Sequence, residues 1–238
     1  MGNYQGLKKE ETRSEYGKDI HYTSWPVGKI PKELQRPELD QLTELGYDWD
    51  DPGSKYACTV DCCSNGLFLA MKYLDVKGTI TIPKRTYVSP PMQIIHAGCK
   101  VKFEDREWSG VYKLEPYNIW DGATRWTNGM YVGDDAIQVV SFQIKKRVPI
   151  GKGGMILTDS KQAYDWFKYA SYDGRNLREY YMDDKFALIG YHMYMTPEDA
   201  ARGIILMDSV PIENEDTGGS STYSDLSDRK VFKDYLGE

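Results

Sequence analysis

From Tyr56 to Met207 the chain alternates short apolar runs with amphipathic ones, and this alternation restricts the fold more than any other feature. Strand patterns are predicted at Tyr56–Val60, Gly78–Pro83, Lys100–Glu104, Ala136–Phe142 and Met155–Thr158. Helical patterns run over Leu67–Leu74, Val88–Ala97, Lys161–Ala170 and Thr196–Met207. Strands alternating with helices predict an α/β fold in three layers, a mostly parallel sheet with helices on both faces. Two flanks depart from the pattern. Residues 1–54 are polar, punctuated by Pro26, Pro31, Pro37 and Pro52, and read as an N-terminal arm with one helix candidate at Pro37–Leu45. Residues 55–210 form the α/β domain. From Pro211 the composition turns acidic and rich in Ser and Gly, so 211–238 reads as a short polar tail and not a second core.

Several function classes are disfavoured at this level. A net charge of −6 argues against a nucleic-acid surface, which needs clustered Lys and Arg. No run reaches the ~18–20 apolar residues of a membrane span, and the opening Met-Gly-Asn-Tyr is no signal peptide, so a cytoplasmic location without membrane contact is expected. Cys58, Cys62, Cys63 and Cys99 lack zinc spacing and read as reduced thiols, and no metal is expected. Tyr and Trp are abundant, 19 and 6 against 6 Phe, which suits half-buried surface including subunit interfaces.

Ligands of open α/β sheets bind at the carboxyl ends of strands, and four segments put suitable groups there. Gln138–Phe142 reads as a buried strand running through Ser141 to Lys146, and Gly153-Gly154 opens the next strand. An amine on such a rim can form a Schiff base with a carbonyl cofactor, above all pyridoxal phosphate (PLP), although a solvated lysine is the commoner case. Cys62-Cys63-Ser64-Asn65-Gly66, between strand and helix, could cradle a phosphate with its amides and the Ser64 hydroxyl; a plain N-cap is the equal alternative. Tyr87, just past Pro83, could stack on a flat ring or pack on its neighbours. Asp121, after Ile119-Trp120, could keep a pyridine nitrogen protonated or serve as a helix cap.

In this order the segments resemble the DegT/StrS-type PLP-dependent sugar aminotransferases, a branch of the fold-type I group. The resemblance covers about residues 55 to 208. It rests on Cys62–Leu67, Pro83 with Thr86-Tyr87-Val88, Ala97-Gly98, the strand closing on Asp105, Asp121-Gly122-Ala123, Ser141 to Lys146, Gly153–Thr158 and Gly190–Met195. Five steps on from Ser141 and six back from Lys152 both reach Lys146, which separates it from Lys145.

The resemblance implies a PLP-dependent aminotransferase moving an amino group from an amino acid, glutamate by analogy, to a nucleotide-linked keto-sugar. Lys146 and Asp121 would be catalytic. The cofactor would be bound by Cys63, Ser64, Tyr87, Asp121, Thr124, Ser141, Lys146 and His192. A homodimer with shared active sites is implied, His192 standing where the family reaches into the partner's site. The departures are specific. Only Arg106–Trp120 connect the Asp105-like and Asp121-like positions, where the family has a further strand and helix. Thr124 replaces the usual Gln or His, His192 replaces Asn, and the family's C-terminal small domain is largely absent. These leave a second reading open, a catalytically idle PLP-binding or regulatory relative.

Overall fold

Val139 and Val140 are neighbours, both fully buried, yet they belong to different cores. Side chains alternate across a strand, so a strand buried on both faces must feed two clusters. The computed structural model describes residues 53–176, 179 and 181–237, and the helix expected at Pro37–Leu45 lies outside them. The strands are β1 Tyr56–Val60, β2 Thr79–Pro83, β3 Lys100–Glu104, β4 Tyr112–Lys113, β5 Ile119–Asp121, β6 Ile137–Ser141 and β7 Gly154–Thr158. The helices are α1 Cys63–Tyr73, α2 Ser89–His96, α3 Lys161–Ala170 and α4 Pro197–Met207, followed by 3-10 turns at Ser220–Thr222 and Lys230–Tyr235. Among the described residues no helix is long and apolar enough to cross a membrane.

Five strands form one sheet in the order β1-β7-β6-β5-β4, and β2 pairs with β3 in a second. Thr81 and Glu115 exchange two backbone hydrogen bonds, 2.9 and 3.0 Å, which tie β2 to the residues just after β4. One core holds Val60, Val139 and Ile156 with residues of α1, α2 and α3. The other holds Val140, Met155 and Leu157 with Ala200 and Met207 of α4. The expected α/β class with helices on both faces is therefore present. The strand directions, expected to be mostly parallel, are mixed. β5/β6 and β2/β3 are parallel, whereas β1/β7, β6/β7 and β4/β5 are antiparallel. Connection length accounts for part of this: residues 114–118 between β4 and β5 are too few for a parallel crossover, whereas the longer stretch 122–136 lets β5 and β6 pair in parallel without a helix between them.

Helix α1 sits close on the sheet because two glycines let it. A Cβ on Gly66 would lie 2.6 Å from Val139 Cγ1, and one on Gly154 would lie 2.6 Å from the Cys63 amide nitrogen. The Cys62 thiol caps the helix, accepting from the Asn65 amide at 3.5 Å. Residues 211–237, polar in sequence, pack back on the domain, first beside Thr124 and Arg125 after β5, then at Lys84 after β2, and finally along β3, where Leu236 bridges Val101. Asp216 takes two hydrogen bonds from Arg125, 2.9 and 2.8 Å. Thr217 donates to the Thr124 carbonyl, and Leu226 to that of Lys84. Phe232 is buried against Phe103, their ring centroids 5.5 Å apart.

Gly66→Ala is expected to destabilise the fold by about 1–3 kcal/mol, because Val139, Val60 and Ile156 surround the added methyl and are themselves fully buried. Thermal unfolding checks this, at roughly 2–4 °C per kcal/mol. An unchanged Tm would mean that α1 can lift from the sheet at no cost.

Candidate active site

Strands β5 and β6 are parallel, so their carboxyl ends, Asp121 and Ser141, lie at the same end of the sheet. Ser141 pairs in register with Gly154, and Gly154 abuts the backbone of Cys62 and Cys63. The first turn of α1 therefore meets the ends of β5 and β6 and the start of β7. The amides of Cys63 and Ser64 stand at helix positions that have no intrahelical acceptor, at the positive end of the helix dipole.

Asp121 is the chemical centre of this end. It is buried, and its register partner on β4 is Tyr112. The Tyr112 hydroxyl donates to Asp121 Oδ2 at 2.6 Å, and the Ala123 amide donates to Oδ1 at 2.9 Å. Behind it, Thr86 Oγ1 donates to the Tyr112 hydroxyl at 2.8 Å. Burial raises the Asp121 carboxyl above its usual range, while these hydrogen bonds and the Lys146 ammonium pull it back. Burial, then Asp121, push the Cys63 thiol well up, and Lys146 opposes both. Asp121, Cys63 and Lys146 thus share one electrostatic neighbourhood. Lys146 is half-buried, in a turn where its amide donates to the Gln143 carbonyl at 2.8 Å, whereas Lys145 is exposed.

The cap of α1 is already hydrogen-bonded. Ser64 donates to Ser89 at 2.7 Å, so its hydroxyl links α1 to α2 and is not the N-cap. Asp61 accepts from Asn65 Nδ2 at 2.8 Å and pairs with Lys152 at 3.1 Å, so this acid beside the helix end is neutralised locally. Tyr87 is 58% exposed, its ring edge-on to Tyr223 at 6.4 Å. Tyr223 comes from the tail, stacks on Trp108 at 5.9 Å, and is pushed up by burial and then by Asp121, Tyr87 and Cys63. An aromatic wall thus stands beside Asp121.

Two residues named from sequence are engaged elsewhere. The Thr124 hydroxyl contacts the carbonyls of Gly110 at 3.1 Å and Gly218 at 2.9 Å, anchoring the tail. His192 is exposed, and its Nδ1 lies 2.8 Å from Asp173 Oδ2. Sequence reasoning missed Tyr112, Trp108 and Tyr223. Tyr112 lies on a two-residue strand with no periodic signature, and Tyr223 sits in a stretch whose composition reads as solvated. A cavity of about 280 Å³ lined by Tyr73, Asn118, Ile137, Thr158 and Ser160 opens at the other end of β5 and β6, away from these groups.

Residues 121–217 match the DegT/DnrJ/EryC1/StrS aminotransferase family. Among curated proteins none matches the sequence. Solved structures with the same fold include AtS13 from Actinomadura melliaura, at 16% identity over 77% of this chain and 66% of that one, TM-score 0.57. The sugar aminotransferase CalS13 from Micromonospora echinospora matches at 14% identity over 76% and 66%, TM-score 0.54. The PLP form of Spr1654 from Streptococcus pneumoniae, titled a sugar aminotransferase, matches at 15% over 78% and 61%, TM-score 0.55. The chain thus has the fold of PLP-dependent aminotransferases and spans 61–66% of the length of these three structures.

The tail is held by carboxylates whose titration sets a pH window. Arg125 lowers Asp216; Ser220 and then Arg85 lower Glu107. Ser227 and Lys84 hold Asp225 down at about 2. A lowered carboxyl stabilises the fold above its usual pKa of ~4, and that contribution is lost as pH falls through the folded value. Acidification from pH ~4 toward 2 should therefore loosen the tail and change tryptophan emission, since Trp108 packs on Tyr223. In Asp225→Asn the part of the change nearest pH 2 should vanish. Emission that stays flat over this range while far-UV circular dichroism is native would show that these carboxylates do not hold the tail.

Proposed function

With residues 121–217 a DegT/DnrJ/EryC1/StrS aminotransferase family segment on an aminotransferase fold, we propose that the chain is a PLP-dependent sugar aminotransferase. It would move an amino group from an amino acid, glutamate in the first instance, to a nucleotide-linked keto-sugar. It would work in the cytoplasm as a homodimer with shared sites. The observation that carries the reading is a buried carboxylate, Asp121, at a strand's carboxyl end beside a lysine and a helix N-terminus.

The residues present fit the cofactor. Asp121 has about four lone-pair sites, and two hydrogen bonds leave room for a ring N–H. The α1 first turn offers orphan amides to an anion, and the glycine at 154 keeps that turn against the sheet. When bound, PLP supplies an electron-withdrawing ring that stabilises negative charge at the carbon next to the amino group. Lys146 would carry the cofactor covalently and, once released by the donor, move a proton at that carbon. Asp121 would hold a proton on the ring nitrogen. Cys63 and Ser64, through their amides, and Ser141 would hold the phosphate, and Tyr87 would stack on the ring. Thr124 and His192, the remaining members of the expected set, would have to leave Gly110, Gly218 and Asp173 to serve it, His192 toward the partner's site.

One observation favours the second reading, an idle PLP binder: the Thr124 hydroxyl is spent on the carbonyls of Gly110 and Gly218. Turnover of glutamate separates the two readings.

The purified protein with PLP should develop a visible absorption band, and borohydride should fix the label on Lys146, as read by peptide mass. A label on Lys145, or none, defeats the assignment; Lys146→Ala should abolish attachment and leave the fold intact. Asp121→Asn should still bind PLP but slow transamination about 10²–10⁴-fold. Loss of soluble protein instead would make Asp121 a structural residue.

A further inference from the structure

We propose that Tyr112 is a positioning residue of this site: held by Thr86, its hydroxyl fixes the Asp121 carboxylate in the orientation that receives a protonated ring nitrogen. The inference rests on the PLP reading above and adds a residue to it.

The register makes the pair. Tyr112 stands directly across from Asp121 in the antiparallel β4/β5 ladder, where side chains of opposed residues meet on one face. Tyr112 is 3% exposed and Asp121 5%, so water does not compete for this hydrogen bond. Its length, 2.6 Å, is that of a hydroxyl donating to an anionic oxygen. A hydroxyl has one proton, so the direction of every bond in the relay follows. Thr86 donates to Tyr112, and Tyr112 has its own proton left for Asp121. The Trp108 ring meets that of Tyr112 edge-on at 4.7 Å, and Trp108 Nε1 is itself tied to the Arg85 carbonyl at 2.8 Å. The phenol is therefore locked in place from the side as well as from behind.

This arrangement answers a chemical problem. Burial favours the neutral acid, and a neutral carboxyl cannot make a charge-assisted bond to a ring cation. Hydrogen bonds donated to the carboxylate favour the ionised form, and Tyr112 gives the larger share, ahead of the Ala123 amide and Lys146. Tyr112 does not compete as a base. Burial, then the neighbouring Asp121, raise its phenol well above the ordinary value, so it remains a donor across the neutral range. The other titratable groups facing Asp121 are Cys63 from α1, Lys146 from the turn after β6 and Tyr223 from the tail. Burial raises Cys63 and Tyr223, which keeps both neutral, so Lys146 is the one charged neighbour of Asp121 in this set.

Tyr112→Phe deletes the hydroxyl and keeps the ring on Trp108. Two readouts decide. In the PLP-free protein, the Asp121 carboxyl followed by ¹³C NMR should titrate about one pH unit higher in Tyr112→Phe, the size expected for losing a hydrogen bond to a charged group. In the PLP-loaded protein, cofactor affinity should fall about tenfold near neutrality, and the acid limb of the affinity profile should move to higher pH in step. Thr86→Val should shift both in the same direction by less, since it removes only the support behind the phenol. An Asp121 titration and an affinity profile unchanged in Tyr112→Phe would overturn the proposal, as would an equal affinity loss at every pH with no movement of the acid limb. If Tyr112→Phe does not fold, Thr86→Val carries the same two readouts, and no shift in it overturns the proposal. A wild-type protein that binds no PLP overturns the cofactor reading itself, and the carboxyl titration then judges the hydrogen bond alone.

Discussion

The close seat of α1 on the sheet governs the rest of this structure. A helix packed at ordinary distance would hold its first turn away from the strand ends. Here Gly66 admits Val139 to the helix backbone, and Gly154 admits the Cys62–Cys63 peptide to β7. Both contacts work because hydrogen replaces Cβ at the point of closest approach. The consequence is chemical as well as steric: the helix end, with its unpaired amides and positive dipole, is brought to Ser141 and into the neighbourhood of Asp121 and Lys146. The strand directions follow a separate constraint, since antiparallel pairing of β6 with β7 lets a helix-free connection carry Lys146 past the same end.

A buried carboxylate is the costly element of this arrangement, and its surroundings are matched to it. Desolvation alone drives Asp121 toward its neutral form, and three groups resist: a phenol, a backbone amide and an ammonium. Two of these come from short segments on either side of the site. Strand β4 is only two residues long, and it delivers Tyr112. The turn after Asp121 delivers the Ala123 amide. Lys146 is the only one of the three that carries charge, and it remains half-buried at the rim where chemistry needs access.

The tail puts part of the chain's tyrosine and tryptophan content to use. Residues 216–237 are held back on the domain through Asp216–Arg125, the Thr217–Thr124 bonds and Phe232 on β3, and in doing so they set Tyr223 between Trp108 and Tyr87. Trp108 adds a polar anchor to its ring packing, its Nε1 donating to the Arg85 carbonyl, which phenylalanine could not do. The tail thus supplies one wall of the site from the same chain.

Periodicity made the strands and helices legible. β1, β3 and α3 fall where their patterns place them, and the motif order already picked out Asp121 at the end of β5, the α1 turn, and Lys146 in the turn beyond β6. The sequence underestimated α1, which begins at Cys63 before its apolar stripe, since a thiol cap carries no familiar signal. It gave no warning of β4, of the mixed strand directions or of the return of the tail, all of which depend on contacts between residues far apart in the chain. Thr124 and His192 illustrate the limit most plainly. Their positions are fixed by motif spacing, but their partners, Gly110, Gly218 and Asp173, are chosen by packing. By itself the sequence determined most of the strands and helices and the chemistry-bearing ends of several of them, because burial and local geometry act on near neighbours. Only the tertiary structure decided which hydroxyl faces Asp121 and which aromatic rings wall the site, because a hydrogen bond between β4 and β5 or across the tail requires register, and register is settled when the sheet assembles.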